Sequence, residues 1–375
     1  MLGTLTGQKA LRLVRAWGRA TQADIGGALG LDKSTVSRVL GALAEKRLIR
    51  ARTELPSSRR GGRKTVVWEL DPDGPRAVAV ALNHVDFEVA VMGLDGKLSA
   101  RRRHPTPEKG DPALLLPALE VAVKQALAAA SGEIVGVGVA TPGIVDGRSG
   151  TVIACVHMSG LRDLPLADRL GLAVGLPAFA NNNARLALAA EMCYGAAQGK
   201  KHVVCLFADY GLGLATASDG KLFQGANGLA NDFHVSVDPR GPKCHCGRAG
   251  CVETLAGGRA IIDRLGLPEI QDLESLCRAA AEGLPAAVEA LETAGFWLGR
   301  EAAHLRGIFD PETILLAGAL AQAGDLLLNA TRGAYVAHLI DSNYAPPPLV
   351  PAALGRDCAL TGAGVIAMSP LFGEE

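Results

Sequence analysis

The sequence predicts an α/β protein built from a small N-terminal module and a larger body. Three observations lead to this prediction. Short helical patterns and two strand patterns fill the first 70 residues, and a linker with two prolines follows at residues 71–75. Beyond the linker, strand patterns alternate with helical patterns, which is typical of an α/β fold. The length of 375 residues suffices for two or three domains.

Composition excludes several classes of protein. Apolar residues make up 49% of the chain, which is too many for a disordered protein. No run approaches the ~18 uninterrupted apolar residues that a membrane helix needs. The N-terminus has no compact apolar stretch followed by a cleavage site, so a secretory signal is not expected. We therefore expect a cytoplasmic protein.

Charge is unevenly distributed, although the whole chain is neutral with 38 basic and 38 acidic residues. Residues 1–70 hold 14 Lys and Arg against 5 Asp and Glu, whereas residues 71–375 hold 24 against 33. The balance is thus +9 in the first segment and −9 in the second. Such asymmetry indicates a basic module joined to a neutral or acidic body.

Three helices are predicted in the N-terminal module. The first covers residues 8–18. The second is capped by Thr21, with Asp24 as its capping-box partner, and ends at Gly30. Asp32 caps the third helix, whose apolar residues recur at helical spacing. These apolar residues are Val36, Val39, Leu40 and Leu43.

The opposite face of the third helix carries short hydroxyls and cations near its N-terminus. Such side chains suit phosphate oxygens and base edges. Two short helices joined by a tight turn, the second with this polar face, indicate a helix-turn-helix that binds DNA. The candidate DNA-binding residues on this face are Lys33, Ser34, Thr35, Ser37 and Arg38.

A basic loop follows the third helix and is predicted to form a wing. Leu48–Thr53 and Thr65–Leu70 have strand patterns, and the loop between them contains two glycines. A flexible basic tip can enter a minor groove, where the potential is most negative. The candidate residues are Arg59, Arg60, Arg63 and Lys64. The alternative is a small helical protein-interaction module with a solvated basic loop.

The body has a regular succession of predicted elements. Strands with a turn at residues 94–96 come first, and a helix follows around Ala113–Ala130. Glu133–Ala140 is predicted to be a buried strand. Further strands are predicted at Lys201–Phe207, Gly211–Ser218 and Thr313–Ala317, and further helices around Ala184–Tyr194 and Pro285–Leu305.

A cluster of cysteines and one histidine predicts a structural zinc site. Three cysteines fall within eight residues in a glycine-rich loop, and a histidine precedes them. Tetrahedral zinc takes four such nitrogen and sulfur ligands at a closed structural site. The predicted ligands are His234, Cys244, Cys246 and Cys251. The alternative is a loop of three reduced cysteines without a metal.

Four consecutive stretches of the body resemble motifs of the ROK family, which comprises sugar kinases and related transcriptional repressors. They read GVGVATPGIVDGRSGTV, LPAFANNNARLALAAEMCYGAAQG, GKLFQGANG and HVSVDPRGPKCHCGRAGCVETLAGG. The resemblance implies an actin-like, two-lobed ATPase fold with a sugar site between the lobes, and it supports the same four zinc ligands. The helix-turn-helix resembles the repressor branch of the family.

The resemblance also gives expected domain boundaries. The winged helix-turn-helix is expected at residues 1–72, and the N-terminal lobe at residues 73–184. The C-terminal lobe is expected at residues 185–355, with the zinc knot at 234–251. A C-terminal helix, residues 356–375, is expected to pack back on the N-terminal lobe.

Two motifs that the family's kinases need are altered. The family's phosphate loop reads Asp-x-Gly-Gly-Thr, and residues 81–85 here read Ala-Leu-Asn-His-Val. The family's catalytic Asp lies in Asn-Asp-Ala, which matches Asn182, Asn183 and Ala184. Asparagine cannot accept a hydroxyl proton as a general base does. A second phosphate loop of the family corresponds to residues 208–213 here, and the Asp209 carboxylate in it would repel phosphate. The sequence therefore predicts a protein that is not an enzyme.

The sugar site that the resemblance implies is retained in part. Asn182 and Glu253 match the family, Asn183 replaces the Asp, and Asp232 replaces a Glu in a loop shortened by one residue. The candidate effector-binding residues are Asn182, Asn183, Asp232, His234 and Glu253. A modified sugar, a sugar phosphate or no ligand are each compatible with this set.

These observations together predict a DNA-binding transcriptional regulator, in the first place a repressor. Its expected partners are double-stranded operator DNA, a second copy of the chain in a homodimer or tetramer, and a carbohydrate-like effector. Zinc is the expected structural cofactor. One alternative is a sugar kinase that carries a fused DNA-binding module. Another is a DNA-binding protein without an effector.

Overall fold

The computed structural model describes residues 5–54, 65–230, 233–340 and 345–374. Within these ranges the protein has an N-terminal helix-turn-helix module and two α/β lobes with a cleft between them. The fold class predicted from the sequence is confirmed.

The N-terminal module combines three helices with a small antiparallel sheet. Its strands lie in the order β1-β3-β2. The segment that joins β2 to β3, where the sequence predicts a wing, lies outside the described residues. The elements are α1 (Leu5–Trp17), β1 (Ala20–Thr21), α2 (Gln22–Leu29), α3 (Lys33–Glu45), β2 (Ile49–Glu54) and β3 (Thr65–Leu70).

The predicted helix caps of this module are confirmed. The Thr21 hydroxyl accepts a hydrogen bond from the Asp24 N–H at 3.1 Å, and the Asp24 carboxylate accepts one from the Thr21 N–H at 2.8 Å. Gly30 follows α2 with a φ of 64°, a left-handed conformation that glycine adopts at low cost. The Asp32 carboxylate accepts hydrogen bonds from the N–H groups of Ser34 and Thr35. These caps fix the turn between α2 and α3.

The N-terminal lobe is built on a five-stranded sheet in the order β10-β7-β4-β5-β6. Strands β10, β7 and β4 are parallel, whereas β4, β5 and β6 form an antiparallel meander. A 3-10 helix at Glu108–Gly110 precedes α4. The elements are β4 (Arg76–Leu82), β5 (Asp86–Met92), β6 (Leu98–Pro105), α4 (Pro112–Ala129), β7 (Ile134–Thr141), β8 (Ile144–Asp146), β9 (Thr151–Ala154), α5 (Leu166–Val174) and β10 (Ala178–Asn182).

The C-terminal lobe is built on a second five-stranded sheet, in the order β13-β12-β11-β14-β15. Two 3-10 helices, Ala319–Ala323 and Gly355–Asp357, flank its last elements. The regular elements are α6 (Asn183–Tyr194), β11 (Val203–Ala208), β12 (Leu212–Ser218), β13 (Lys221–Leu222), α7 (Val252–Ala256), α8 (Gly258–Leu265), α9 (Leu273–Ala281), α10 (Pro285–Phe309), β14 (Thr313–Ala317), α11 (Asp325–Ala337) and β15 (Leu349–Pro351). The last helix, α12 (Cys358–Phe372), returns to the N-terminal lobe and packs on β4 and β7.

Helices α6 and α12 pack together between the two sheets. Small residues at the contacts of these helices allow a close approach. A Cβ at Gly138 of β7 would collide with the Ala363 carbonyl of α12. In the same way, a Cβ at Gly362 of α12 would collide with the Leu186 carbonyl of α6. The two lobes therefore share these helices as a common, tightly packed layer.

The N-terminal module shares a hydrophobic core with the body. Leu11 and Val14 of α1 belong to the same buried cluster as Leu371 and Phe372 of α12. The Arg15 guanidinium lies 4.1 Å from the centre of the Phe372 ring and pairs with the Glu374 carboxylate. The module is thus packed directly on the end of the body.

Helix α4 is the one helix of the described chain whose length and composition would suffice to cross a membrane. One of its faces is buried in the N-terminal lobe, where Leu115, Leu119 and Val123 are fully enclosed. Glu120 and Lys124 form an ion pair on the same helix. A helix with one buried apolar face and charged residues elsewhere on its surface is typical of an α/β lobe.

Candidate functional site

The face of α3 that the sequence assigns to DNA is exposed. Lys33, Ser34, Ser37 and Arg38 are exposed, and Thr35 is half-buried. Their position at the start of α3 follows from the Asp32 cap, which begins the helix immediately after the turn. The wing residues assigned to DNA lie outside the described residues; they are Arg59, Arg60, Arg63 and Lys64.

Two of these α3 side chains also support the cap. The Ser34 hydroxyl donates a hydrogen bond to Asp32 Oδ1 at 2.5 Å, and the Thr35 hydroxyl donates one to Asp32 Oδ2 at 2.7 Å. These hydrogen bonds hold the pKa of Asp32 well below its usual range. Lys33, Ser37 and Arg38 are therefore the side chains of this face that do not support the cap.

The four predicted zinc ligands converge. The ligand atoms of His234, Cys244, Cys246 and Cys251 all lie within 4.8 Å of one another. The Cys244 Sγ lies 3.4 Å from His234 Nδ1, and the sulfur atoms of Cys246 and Cys251 are 3.5 Å apart. Two ligands of a tetrahedral zinc ion are expected ~3.8 Å apart when each Zn–S bond is ~2.3 Å. The donor set and its spacing therefore fit a metal ion.

The loop that carries the cysteines is folded tightly on itself. Gly250 has a φ of 62°, and a Cβ there would collide with the Asp238 carbonyl. Its N–H donates to the Pro242 carbonyl at 2.7 Å. The Ser236 hydroxyl donates to the Ala249 carbonyl at the same distance. These contacts bring the separated ligands together, as the glycines of the sequence indicate.

The metal cluster leads directly into the cleft. Cys251 is the N-cap residue of α7, and Glu253 lies in the first turn of that helix. Glu253 Oε1 is 3.0 Å from His157 Nε2 and 3.9 Å from His234 Nδ1, while Oε2 accepts a hydrogen bond from the Leu212 N–H at 3.0 Å. Burial alone would raise the pKa of Glu253, but the hydrogen bonds from His157 and Leu212 outweigh it and lower the pKa.

The cleft between the lobes encloses a cavity of about 150 Å³. The predicted effector residues Asn182, Asn183, His234 and Glu253 line it together, whereas Asp232 lies outside the described residues. The cavity is also lined by residues that the sequence did not assign to the effector, among them His84, His157, Arg185, Asp209 and Tyr210.

The two asparagines of the cleft have different surroundings. The Asn182 side chain caps α6: its Oδ1 accepts from the Ala184 N–H at 2.9 Å, and its Nδ2 donates to the Gly143 carbonyl at 2.8 Å. Asn183 Nδ2 donates to the Leu82 carbonyl at 3.2 Å. Asn183 Oδ1 is buried and has no hydrogen-bond partner among the described residues. Asn182 therefore shapes the site, and the Asn183 side chain lies beside it with a buried oxygen that lacks a partner among the described residues.

Two rings bridge the lobes at the position of the family's phosphate loops. His84 lies in the β4–β5 turn and Tyr210 in the β11–β12 turn, and their ring centres are 4.6 Å apart, edge to face. Burial and the nearby His157 lower the pKa of His84 to about 4. Burial raises the pKa of Asp209, whose carboxylate accepts hydrogen bonds from the N–H groups of Tyr210 and Ala319.

Several residues of the cleft were not assigned a role from the sequence. His157 follows β9 in a loop without a recognisable motif, and its ring reaches Glu253 across the cleft. Arg185 is 3% exposed and donates hydrogen bonds to the Val145 and Ala230 carbonyls. The sequence signal for Arg185 is its position three residues after Asn182, one helical turn into α6.

Comparison with known proteins agrees with this architecture. The model of the ROK family matches residues 77–369, and that of the MarR family matches residues 4–61. The glucokinase of Streptomyces coelicolor is 29% identical over 78% of this chain and 98% of its own. The DNA-binding transcriptional dual regulator NagC of Escherichia coli K12 is 26% identical over 96% of this chain and 92% of its own.

A solved structure resembles the chain over its whole length. It is the crystal structure of a ROK family transcriptional regulator, a homolog of the E. coli MLC protein. It superposes with a TM-score of 0.78 at 25% identity, over 99% of this chain and 98% of its own. The glucokinase likeness covers 78% of this chain, whereas the likeness to the two regulators covers 96% and 99% of it and therefore includes the helix-turn-helix module. This chain belongs to the ROK family and carries an N-terminal winged helix-turn-helix domain of the MarR type.

Proposed function

We propose that this protein is a transcriptional regulator, a repressor, that binds operator DNA through its N-terminal module and an effector through its cleft. The observation that carries the proposal is the helix-turn-helix packed on a ROK body, with the basic face of α3 exposed. The relevant domains are residues 1–72, 73–184 and 185–355, with residues 356–375 returning to the second domain. The protein acts in the cytoplasm.

The DNA contact uses cations and hydroxyls of α3 together with the basic loop after β2. Arg38 and Lys33 are exposed and suit phosphate oxygens or guanine edges. Ser34, Thr35 and Ser37 add short hydrogen-bonding groups. The basic side chains at positions 59–64 reach the adjacent groove. Because operator half-sites are related by two-fold symmetry, the protein binds as a homodimer or tetramer.

The cleft does not transfer a phosphoryl group. Asn183, which stands where the family has its catalytic Asp, donates to the Leu82 carbonyl and cannot accept a proton. His84 and Tyr210 fill the space between the two phosphate loops, and the Asp209 carboxylate lies beside them. These groups oppose the approach of a nucleotide's phosphates.

The metal that the cluster fits is zinc, held by His234, Cys244, Cys246 and Cys251. All four ligand positions come from the protein, so zinc when bound supplies structure and no open site for water. The cluster fixes the start of α7 and with it the position of Glu253. It therefore supports the wall of the effector cleft, to which Asn182, Asn183, Asp232 and His234 also contribute.

Helix α6 couples the effector cleft to the DNA-binding module. It begins in the cleft with Asn183 and ends at Tyr194, whose hydroxyl donates to the Leu94 carbonyl at 2.9 Å. Cys193 and Tyr194 pack against the cluster that contains Leu11 and Val14 of α1. A ligand that shifts the start of α6 would thus act on the module at its other end. Such coupling requires that the ligand bind one arrangement more tightly than the other.

The test is DNA binding by the full chain to operator fragments selected from genomic DNA, measured by fluorescence anisotropy. Arg38→Ala is expected to weaken binding by about 10-fold or more, since a bidentate contact contributes ~1–3 kcal/mol. Arg162→Ala, which removes an exposed arginine of the body, is the matched control and is expected to leave affinity unchanged. Equal affinity of both variants and the wild type would place the DNA contact elsewhere.

The second candidate function is a sugar kinase, which the likeness to glucokinase favours. A coupled assay for ADP release over a panel of sugars separates the two. We expect no turnover above background. Turnover that Asn183→Ala abolishes would establish the kinase instead. Operator binding would then be a second activity of the same chain.

A further inference from the structure

The small sheet of the N-terminal module carries three arginines that gather around one glutamate. Arg19 Nε, Arg50 Nη2 and Arg52 Nη1 lie 3.4, 2.7 and 3.8 Å from carboxylate oxygens of Glu69. Since three guanidinium groups surround one carboxylate, these four side chains together have an excess of two positive charges. We call the three arginines the arginine cluster. None of them was assigned to DNA from the sequence.

The arginine cluster lies on the face of the sheet that points away from the hydrophobic core. Ile49 of β2 is buried in the core shared with the body, and Trp68 of β3 packs against that core. Successive side chains of a strand point to opposite faces of its sheet. Arg50 and Arg52 alternate with Ile49 along β2, and Arg50 pairs directly with Glu69 across the sheet. These charged side chains therefore share the outer face.

The arginines are accessible from solvent, whereas the glutamate is largely covered. The side chains of Arg19, Arg50 and Arg52 are 52, 46 and 55% exposed, and that of Glu69 is 13% exposed. Ion pairs at such exposed positions contribute little to stability, because water and salt screen them. The arginines can therefore exchange Glu69 for an anion outside the protein at low cost.

A short path through the structure joins the arginine cluster to the DNA-binding face of α3. Gln22, the first residue of α2, donates through Nε2 to the carbonyl of Lys33, the first residue of α3, at 2.7 Å. Thr21 of β1 pairs with Val67 of β3, which pairs in turn with Arg52 of β2. Because neighbouring strands are ~4.8 Å apart, the backbones of Thr21 and Arg52 are ~10 Å apart. The cluster is thus close to the start of α3.

The anion that suits this position is the phosphate backbone of DNA. Strand β2 leads from the arginine cluster toward the basic loop at residues 59–64, which lies outside the described residues. A guanidinium binds phosphate through two neighbouring N–H groups, as it binds a carboxylate. Arg50 already presents two such groups, Nε and Nη2, at 2.8 and 2.7 Å from one Glu69 oxygen.

We propose that the arginine cluster is a second DNA contact, which binds backbone phosphates beside the bases that α3 reads, and that Glu69 limits its attraction for DNA. This inference rests on the proposed DNA-binding function and adds a site to it. Phosphate contacts carry no direct sequence information, so the cluster increases affinity for any DNA. The Glu69 carboxylate cancels part of this attraction and keeps binding dependent on the bases that α3 contacts.

The test is binding of the full chain to an operator duplex and to a duplex of scrambled sequence, measured by fluorescence anisotropy over a series of salt concentrations. The double variant Arg50→Ala/Arg52→Ala is expected to bind both duplexes more weakly. Its slope of log affinity against log salt concentration is expected to be shallower by about 2, because each phosphate contact contributes ~0.9. Glu69→Gln is expected to bind both duplexes at least about 2-fold more tightly at low salt, because a repulsive charge is removed.

The matched control is Arg103→Ala in the body. The Arg103 side chain is 50% exposed and lies 3.5 Å from the Asp86 carboxylate, so it resembles the arginines of the cluster in exposure and pairing. Its removal is expected to leave both affinities and the salt slope unchanged. Glu69→Gln preserves the shape of the side chain, and it therefore tests the inference even if the double variant does not fold.

An unchanged salt slope in the folded double variant would overturn the inference, and so would unchanged affinities of the Glu69→Gln protein. A loss of affinity confined to the operator duplex would overturn it as well, since that result indicates contact with bases. Arg38→Ala tests the proposed function separately. If only Arg38→Ala weakens binding, the inference fails and the proposed function stands, whereas a wild type that binds neither duplex would overturn both.

Discussion

The N-terminal module and the interlobe cleft assemble their functional side chains in opposite ways. In the module, the five candidate DNA-binding residues of α3 lie within six consecutive positions, after a turn fixed by local caps. In the cleft, the side chains come from positions 83 to 253 and from both lobes. The first site is a property of one short segment, whereas the second exists only when distant segments have folded together.

This difference shows where each site is vulnerable. A substitution on the DNA-binding face of α3 changes one helix cap or one contact, because the neighbouring residues set their own geometry. A substitution in the cleft can displace side chains contributed by other elements. Glu253, for example, contacts His157 of the N-terminal lobe and the Leu212 N–H of the C-terminal lobe while following a metal ligand by two residues.

The largest effect is expected from loss of a metal ligand. Cys251→Ser removes one of four ligands and the fixed start of α7, so the free energy of unfolding is expected to fall by about 4 kcal/mol or more. Zinc content, measured by plasma mass spectrometry, is expected to fall together with the melting temperature. The matched control is Cys277→Ser, a half-buried thiol of α9 outside the cluster. If the Cys251→Ser protein kept its full zinc content and its melting temperature, Cys251 would not be a ligand of a structural zinc ion.

Local patterns predicted the module closely. The caps at Thr21 and Asp32 and the end of α2 at Gly30 could be read from single residues, because capping depends on neighbours only a few positions away. Four strands of the body, β7, β11, β12 and β14, were also predicted to within a few residues, β14 at its observed bounds Thr313–Ala317, whereas the short strands β8, β9, β13 and β15 were not predicted. Buried strands have continuous apolar runs that need no knowledge of their partners.

The cleft could be predicted only in part. The resemblance identified Asn182, Asn183 and Glu253, and the cysteine spacing identified the metal cluster. The hydrogen bond from His157 to Glu253 joins residues 96 positions apart, and no local pattern of either residue indicates it. The same holds for His84 and Tyr210, which meet because the two lobes face each other. Contacts of this kind follow from the tertiary fold rather than from sequence periodicity.

The next largest effect tests whether the module and the cleft-bearing body unfold together. Arg15→Ala removes the guanidinium that pairs with Glu374 and lies over the Phe372 ring, and it is expected to destabilise the protein by about 2 kcal/mol. Differential scanning calorimetry is expected to show a lower melting temperature, with the transition of the module separating from that of the body. Lys9→Ala, on the exposed side of α1, is the control. A single unshifted transition would mean that the shared core alone joins the two parts.

The smallest effect concerns pH and is confined to the cleft. Burial, the nearby His157 and Arg259 lower the pKa of His84 from 6.5 to about 4, while Asp86 and Asp263 act in the opposite direction. The unfolded chain therefore binds a proton at His84 below about pH 6.5, whereas the folded chain does so only below about pH 4. Stability is thus lost as the pH falls through this window.

His84→Gln is expected to remove this loss. The free energy of unfolding in urea, compared between pH 7.5 and pH 5, is expected to fall by about 1 kcal/mol less in the variant than in the wild type, after allowance for solvent screening of the ring. His202→Gln, at an exposed ring of the C-terminal lobe, is the matched control and is expected to follow the wild type. An equal pH dependence in all three proteins would mean that His84 is as accessible to protons in the folded state as in the unfolded chain. The contrast between a locally built module and a cleft closed by distant side chains would then fail at His84, which meets Tyr210 where the two lobes face each other.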